Sequence, residues 1–313
     1  AQRADVFVEN YKVGDMSRYG LDYASLAALN PRLVYCSITG FGQTGPYHDR
    51  AGYDYAIQGL GGLMSVTGEH DELGGGPQKV GVAVADLFTG MYACTAILAA
   101  LRHAEHTGIG QHIDMALLDT QVAMLANLGA NYLVSGKVPG RMGNAHQNIV
   151  PYQVFEVSDG HIIIAVGNDS QYYKFCSCLG REDLGSAPKY LKNQDRVRNR
   201  AELVPEIAKT LKTRTRDEWL HELEAAKVPC GPINNLAQVF ADPQVQARGM
   251  VNHWQHPLRK DLQLVASPLR LSATPVRTER APPLLGEHTQ EVLQEWLQMS
   301  EAQFAQLRAQ EVV

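Results

Sequence analysis

The sequence predicts an α/β protein of two domains, a large one built on a parallel sheet and a smaller mixed α/β one inserted before the chain's tail. Three observations carry that expectation. Near the start, two short β-branched and aromatic runs flank a stretch with helical spacing. Glycine-rich loops then alternate with apolar segments, and beyond about residue 150 the pattern changes to a hairpin followed by amphipathic helices. At 313 residues the chain is long enough for each domain to bury its own core.

Val6 to Val8 reads as a buried strand ending at Glu9-Asn10, and Leu33 to Ile38 as another, preceded by the turn-forming Asn30-Pro31-Arg32. Between them Tyr23, Leu26 and Leu29 recur at helical spacing, so strand, helix and strand imply parallel pairing. From Gly40 to Asp54 the chain is rich in Gly, Pro, Tyr and charge, which favours an irregular loop of a length often used for function. A second glycine run, Gly74-Gly75-Gly76-Pro77, precedes the strand-like apolar segment Val80 to Ala85, then Asp86, then a small-residue helix from Leu87 to Arg102. Gln111 to Met115 reads as a strand, and Leu117 to Leu133 as one long helix with Leu118, Val122, Leu125 and Tyr132 as core contacts.

The glycine-rich, basic stretch from Ser135 to His146 reads as a connection between domains. Tyr152 to Val157 and His161 to Val166 form a hairpin across Ser158-Asp159-Gly160. Leu203, Ile207 and Leu211 share a helix face, and Thr215 with Glu218 makes a capping box ahead of Trp219 and Leu223. A short helix ends at Arg248-Gly249-Met250, and a single helix from Thr289 to about Arg308 closes the tail. The expected division is 1–140 for the large domain, 141–255 for the small domain with its linkers, and 256–313 for the return linker and carboxy-terminal helix.

A net charge of −5 argues against nonspecific nucleic-acid binding, which needs a basic face to displace counterions from phosphates. The most continuous apolar stretch, Ala93 to Leu101, is far short of the ~20 residues that cross a bilayer, so no membrane partner is expected. Five scattered cysteines among apolar or small residues read as free thiols of a reducing, cytoplasmic setting. Cys176 and Cys178 have no second ligand pair at zinc spacing, so no metal is expected. The first ten residues hold no signal-peptide pattern and no initiating methionine, which points to a missing amino-terminal segment.

No phosphate-binding P-loop, nucleophile elbow or metalloprotease helix is present, and Gly59-Leu60-Gly61-Gly62 lacks the third glycine of a dinucleotide fingerprint. Chemistry must then come from polar residues at element junctions. Asp86 begins a helix whose first turns are small (Thr89, Gly90, Ala93), leaving room for a ligand. A carboxylate there can act as a nucleophile, kept ionised by the helix amino terminus; the plainer reading is an N-cap. Asp114 lies inside a strand pattern and Asp119 in a helix, so structural roles suit both. Tyr11-Lys12 and Arg18 follow the first strand, where open α/β sheets present ligand-binding loops; they read either as phosphate contacts or as a solvated turn.

Read together, Ala4-Asp5-Val6-Phe7-Val8-Glu9-Asn10-Tyr11, Asn30-Pro31-Arg32-Leu33-Val34-Tyr35, Gly40-Phe41-Gly42-Gln43-Thr44-Gly45-Pro46-Tyr47 and Gly52-Tyr53-Asp54 closely resemble the class III CoA-transferases, the CaiB/BaiF-like family. The similarity continues through Ala85-Asp86, Pro151-Tyr152-Gln153, Gly231-Pro232-Ile233 and Leu285-Gly286-Glu287-His288-Thr289, essentially the whole chain. Ala130-Asn131-Tyr132-Leu133, Ile149 to Gln153 and Pro232 to Asn235 resemble the succinyl-CoA:dicarboxylate branch, which includes glutarate and hydroxymethylglutarate transferases.

That resemblance implies a Rossmann-like large domain with an inserted small domain, an interlocked homodimer, and an amino-terminal segment preceding the point where this sequence begins. It implies Asp86 as the nucleophile, forming first a mixed anhydride and then an aspartyl-CoA thioester, and CoA contacts at Asn10, Tyr11, Lys12, Arg18, Ala51, Gly52, Tyr53 and Asp54. Coenzyme A enters as an acyl-CoA substrate rather than a resident cofactor, with a small carboxylic or dicarboxylic acid as its partner. Arg141 and His146 are the speculative contacts for the acid, a surface-turn arginine being the plain alternative. Related racemases carry histidine before the aspartate where this chain has Tyr53, a poor base near neutral pH, which favours transfer over α-proton exchange. The alternatives are an α-methylacyl-CoA racemase-like enzyme and a truncated CoA-binding subunit without activity.

Overall fold

The computed structural model describes residues 1–313. Its chain forms two compact units, Ala1–Gly231 and Pro232–Val313.

The first unit opens with the predicted strand, helix and strand: β1 (Val6–Glu9), α1 (Tyr23–Leu29) and β2 (Val34–Thr39). Asp22 caps α1 by accepting from the Ser25 amide, and Asn30 ends it. Two helices follow, α2 (Asp54–Leu60) and α3 (Leu63–Val66), then the long α4 (Val84–Thr107), β3 (His112–Ala116), α5 (Leu117–Met124) and α6 (Ala126–Ser135). The three strands make a parallel sheet in the order β1-β2-β3, with Val6 opposite Val34 and Tyr35 opposite His112. Val34 packs with Ala100 and Ala104 of α4 on one side of this sheet. Leu33 and Tyr35 pack with Leu26 of α1.

Several expectations are corrected here. The run Val80 to Ala85 is not a strand: Pro77 and Gly81 leave it irregular until α4 begins at Val84. The helix runs on to Thr107, where Gly108 stops it in a left-handed conformation, so it has 24 residues and is long and apolar enough to cross a membrane by length and composition. Its packing against β2, β3 and α5 is that of a crossover helix on a parallel sheet. The long helix expected over 117–133 is two, because Ala126 takes a φ of 46° and breaks the hydrogen-bond ladder after Leu125. Val122 and Tyr132 are consequently exposed, while Leu117, Thr120 and Gln121 are buried.

The remainder of the first unit is built on the antiparallel pair β4 (Tyr152–Val157) and β5 (Gly160–Ala165), joined by β6 (Cys230–Pro232). Around it lie α7 (Asp169–Cys178), α8 (Glu182–Ser186), α9 (Asn193–Arg198), α10 (Arg200–Leu211) and α11 (Arg216–Ala225). Leu203, Ile207 and Leu211 are fully buried against Phe155, Ile162 and Ile164, and the Thr215–Glu218 capping box is formed. Below this core Arg196, with no side-chain exposure, donates to the carbonyls of Val150, Tyr190 and Leu191 and to Asp169.

The second unit contains α12 (Leu236–Ala241), α13 (Pro243–Ala247), the antiparallel pair β7 (Val251–His256) and β8 (Arg259–Val265), and the helices α14 (Thr289–Leu297) and α15 (Glu301–Ala309). The single closing helix is also corrected: Gln298 adopts a left-handed conformation and Ser300 caps a new helix through a capping box with Gln303.

Candidate active site

Parallel strands that share a direction also share a carboxyl edge, and the loops leaving that edge converge. Asn10 to Val13 leave β1, Thr39 and Gly40 end β2, and Leu117 follows β3. Together with residues 48–53 and the first turns of α4 they line a cavity of about 490 Å³. Its wall therefore brings together Asn10, Tyr11, Lys12, Ala51, Gly52, Tyr53 and Asp86 of the predicted set, whose members lie up to 76 residues apart in sequence.

The approach of the 48–53 loop depends on two missing side chains. A Cβ on Gly52 would lie 2.3 Å from the Gly40 Cα, and one on Gly40 would lie 2.4 Å from the Gly52 Cα. Only glycine at both positions lets the loop cross the end of β2. A second anchor is Asp114, whose two carboxylate oxygens accept from the Gln43 amide at 3.1 and 3.0 Å. That carboxylate shapes the loop, the structural role anticipated for it.

Asp86 stands at the third position of α4, whose N-cap is Ala83. It is therefore not a capping residue, and its carboxylate faces the cavity. Small neighbours on the same turn, Thr89 and Gly90, leave it room. Partial burial, and then the negative charge of Asp54, push the Asp86 carboxyl above its ordinary value of 3.8. Although exposed to the cavity, it has walls close enough to remove part of its hydration.

Among the lining residues not singled out from sequence as binding groups are Val13, His48, Asp49 and Arg50. His48 lies 3.1 Å from Asp49, and the Arg50 guanidinium sits 3.9 Å above the Tyr47 ring. With Lys12, Arg50 supplies the positive charge at the cavity, in a loop whose charge was legible but whose direction was not. Thr89, itself part of the lining, is buried and bonded to Thr120 at 2.6 Å and to the Ala85 carbonyl.

The remaining predicted residues lie elsewhere. Arg18 is outside the cavity lining and pairs with Asp15 at 3.5 Å, its side chain largely in solvent. Asp54 is adjacent to the lining but turns its carboxylate toward the start of α4, accepting from the Ala85 amide at 2.9 Å. Arg141 is engaged by Asp71 and by the Glu69 carbonyl, and His146 packs against Tyr152; neither lines this cavity.

A cavity at the carboxyl edge of a parallel sheet, with two cations and a partly desolvated carboxylate on a helix, can hold an anionic ligand beside a nucleophile. Comparison with known proteins gives that arrangement a context. The sequence model of CoA-transferase family III matches residues 1–289. A succinate–glutarate CoA-transferase from Agrobacterium fabrum is 52% identical over 301 residues, covering 93% of this chain and 72% of its own length. The succinyl-CoA:glutarate CoA-transferase of Homo sapiens is 42% identical over 309 residues, covering 99% of this chain and 70% of its own. Among solved structures, a CAIB/BAIF family protein from Brucella suis matches with a TM-score of 0.80 at 50% identity, over 94% of this chain and 76% of that one. Rv3272 from M. tuberculosis matches with a TM-score of 0.81 at 26% identity, over 92% and 76%.

Proposed function

The chain belongs to CoA-transferase family III, and we propose that it moves coenzyme A from succinyl-CoA to a small dicarboxylic acid of the glutarate kind through covalent acylation of Asp86. As a class III CoA-transferase it is an enzyme. The donor and acceptor are inferred from relatives that act on succinyl-CoA with glutarate, and from the similar succinyl-CoA:mesaconate transferase of Haloarcula marismortui, 38% identical over 299 residues.

One observation carries the mechanism: Asp86 is the carboxylate that begins a helix, faces the cavity and has small neighbours on its own turn. Its anion attacks the thioester carbonyl carbon; the C–S bond breaks, CoA leaves as a thiolate, and a mixed anhydride joins the donor acyl group to Asp86. The thiolate then attacks the Asp86 carbonyl of that anhydride, releasing the donor carboxylate and leaving an aspartyl-CoA thioester. The acceptor carboxylate repeats both steps in reverse, so no net proton is consumed. Splitting the transfer in this way replaces one high barrier by lower ones. Loss of hydration makes the carboxylate a stronger nucleophile than an aspartate in water.

For CoA we propose the cradle formed by Asn10, Tyr11, Lys12 and the loop Ala51 to Tyr53, with Lys12 and Arg50 meeting anionic groups. Lys12 has no ion-pair partner in the protein, so its charge is available to a ligand. A second copy of the chain is the proposed partner: Leu87, Phe88, Met91, Tyr92 and Leu98 on α4 are all exposed, an apolar face that homodimerisation would cover. Five free cysteines suit a reducing, cytoplasmic compartment.

The test is direct. Mass spectrometry of protein incubated with succinyl-CoA should find the adduct on the peptide containing Asp86, and Asp86→Asn should lower kcat by roughly three orders of magnitude or more. An Asp86→Asn enzyme that transfers CoA at the parent rate would exclude the assignment.

A further inference from the structure

Asp54 belongs by sequence to the block that resemblance ties to the CoA cradle, yet its side chain points away from the cavity. One carboxylate oxygen, Oδ1, accepts from the Ala85 amide at 2.9 Å, and the other, Oδ2, accepts from Gln58 Nε2 at 2.8 Å. The opposite end of that amide, Gln58 Oε1, accepts from the Val80 amide at 2.9 Å. Gln58 is completely buried. One turn of α2 thus grips the chain at two points, 80 and 85, on either side of the irregular approach to α4.

The start of α4 has need of such a grip. Its N-cap, Ala83, has no side chain able to accept from the first turn, and no capping bond is made there. Asp54 supplies the missing acceptor from 31 residues earlier in sequence, at the residue immediately before Asp86. Both oxygens of its carboxylate are engaged, so a ligand would have to break an existing bond to use them in its place.

We propose that Asp54, with Gln58, is a positioning residue: the pair clamps the amino terminus of α4 and so sets where the Asp86 carboxylate stands in the cavity, without touching CoA. This rests on the reading of Asp86 as nucleophile. A displacement of about 1 Å in a reacting group costs on the order of 100-fold in rate, so the clamp governs turnover rather than affinity.

The test compares Asp54→Ala, which removes the link to Ala85 and the bond that holds Gln58, with Gln58→Met, which removes the link to Val80 and leaves Asp54 in place. In both, the dissociation constant for CoA and the KM for succinyl-CoA should stay within about twofold of the parent, while kcat falls by ~100-fold in Asp54→Ala and ~10-fold in Gln58→Met. Hydrogen exchange at the Ala85 amide should accelerate by at least about tenfold in Asp54→Ala, and at the Val80 amide in both variants. Tenfold weaker CoA binding with kcat intact would overturn the proposal in favour of a ligand contact, and unchanged exchange at Val80 and Ala85 would overturn it outright. If Asp54→Ala fails to fold, Gln58→Met decides alone by the same readings. Amide exchange and CoA binding need no turnover, so they judge the clamp even if Asp86→Asn proves active and the nucleophile reading falls.

Discussion

At the scale of single residues, Asp86 shows a conflict between reactivity and stability. Burial and the charge of Asp54 raise its carboxyl above 3.8, so the folded chain keeps a proton there at a pH where the unfolded chain has released it. The folded state binds more protons through that window, so its stability falls as pH rises and remains lower above the folded value. The other titratable groups lining the same cavity are Tyr11, Lys12, His48, Asp49, Arg50 and Tyr53. We expect Asp86→Asn, which never ionises, to melt no lower than the parent near pH 7, with its advantage shrinking as pH approaches about 4. Thermal melts of both proteins across that range would check it, and a variant that melted well below its parent at pH 7 would contradict it.

Elements carry a different kind of requirement, one of backbone approach. The 40–54 loop was legible as a loop from its glycines and prolines, but which two glycines cross was not, since Gly40 and Gly52 touch only after β2 and α2 are both in place. Gly52→Ala should cost roughly 1–3 kcal/mol and open the cavity wall, because the backbone of Gly40 cannot yield as a flexible side chain would. Denaturant unfolding gives the first quantity, and a weakened CoA affinity in the same variant reports the second. The helices show the opposite lesson. Thr215 with Glu218 announces a helix start that the structure keeps, because a capping box is satisfied within four residues. The breaks at Ala126 and Gln298 carried no comparable local signal, as neither residue is one that favours a left-handed conformation.

Across the whole of the first unit, the core around β4 and β5 depends on one buried cation. Arg196 is fully enclosed, stacks 4.3 Å from the Tyr172 ring and satisfies four acceptors, among them Asp169. Arg196→Met should destabilise by about 3–5 kcal/mol, read from the urea midpoint, because three carbonyls lose their donor and Asp169 loses its cation. Burial pushes the Asp169 carboxyl up, but the hydrogen bonds and charges of Arg196 and Lys192 outweigh it and the net shift is downward. Its stabilisation is therefore complete above the unfolded carboxylate range and is lost as pH falls through the lower folded value. Asp169→Asn should accordingly flatten the acid limb of the stability profile; an unchanged limb would show that this ion pair contributes nothing.

Local pattern was enough for the α/β class, the parallel pairing of β1 with β2, the β4–β5 hairpin and the place of Asp86 at a helix start, because each depends on residues within about thirty positions of one another. The resemblance to a known family added the cradle around Asn10 to Lys12 and Ala51 to Tyr53 on the same residues that line the cavity. Folding alone settled which charges meet there. Arg50 and His48 joined the lining and Arg18 and Arg141 went to acidic partners elsewhere, while Asp54 turned from the cavity to hold Ala85. A side chain's direction follows from the packing of strands and helices distant in sequence, and a periodic pattern records only which face is apolar, not what that face will find opposite it.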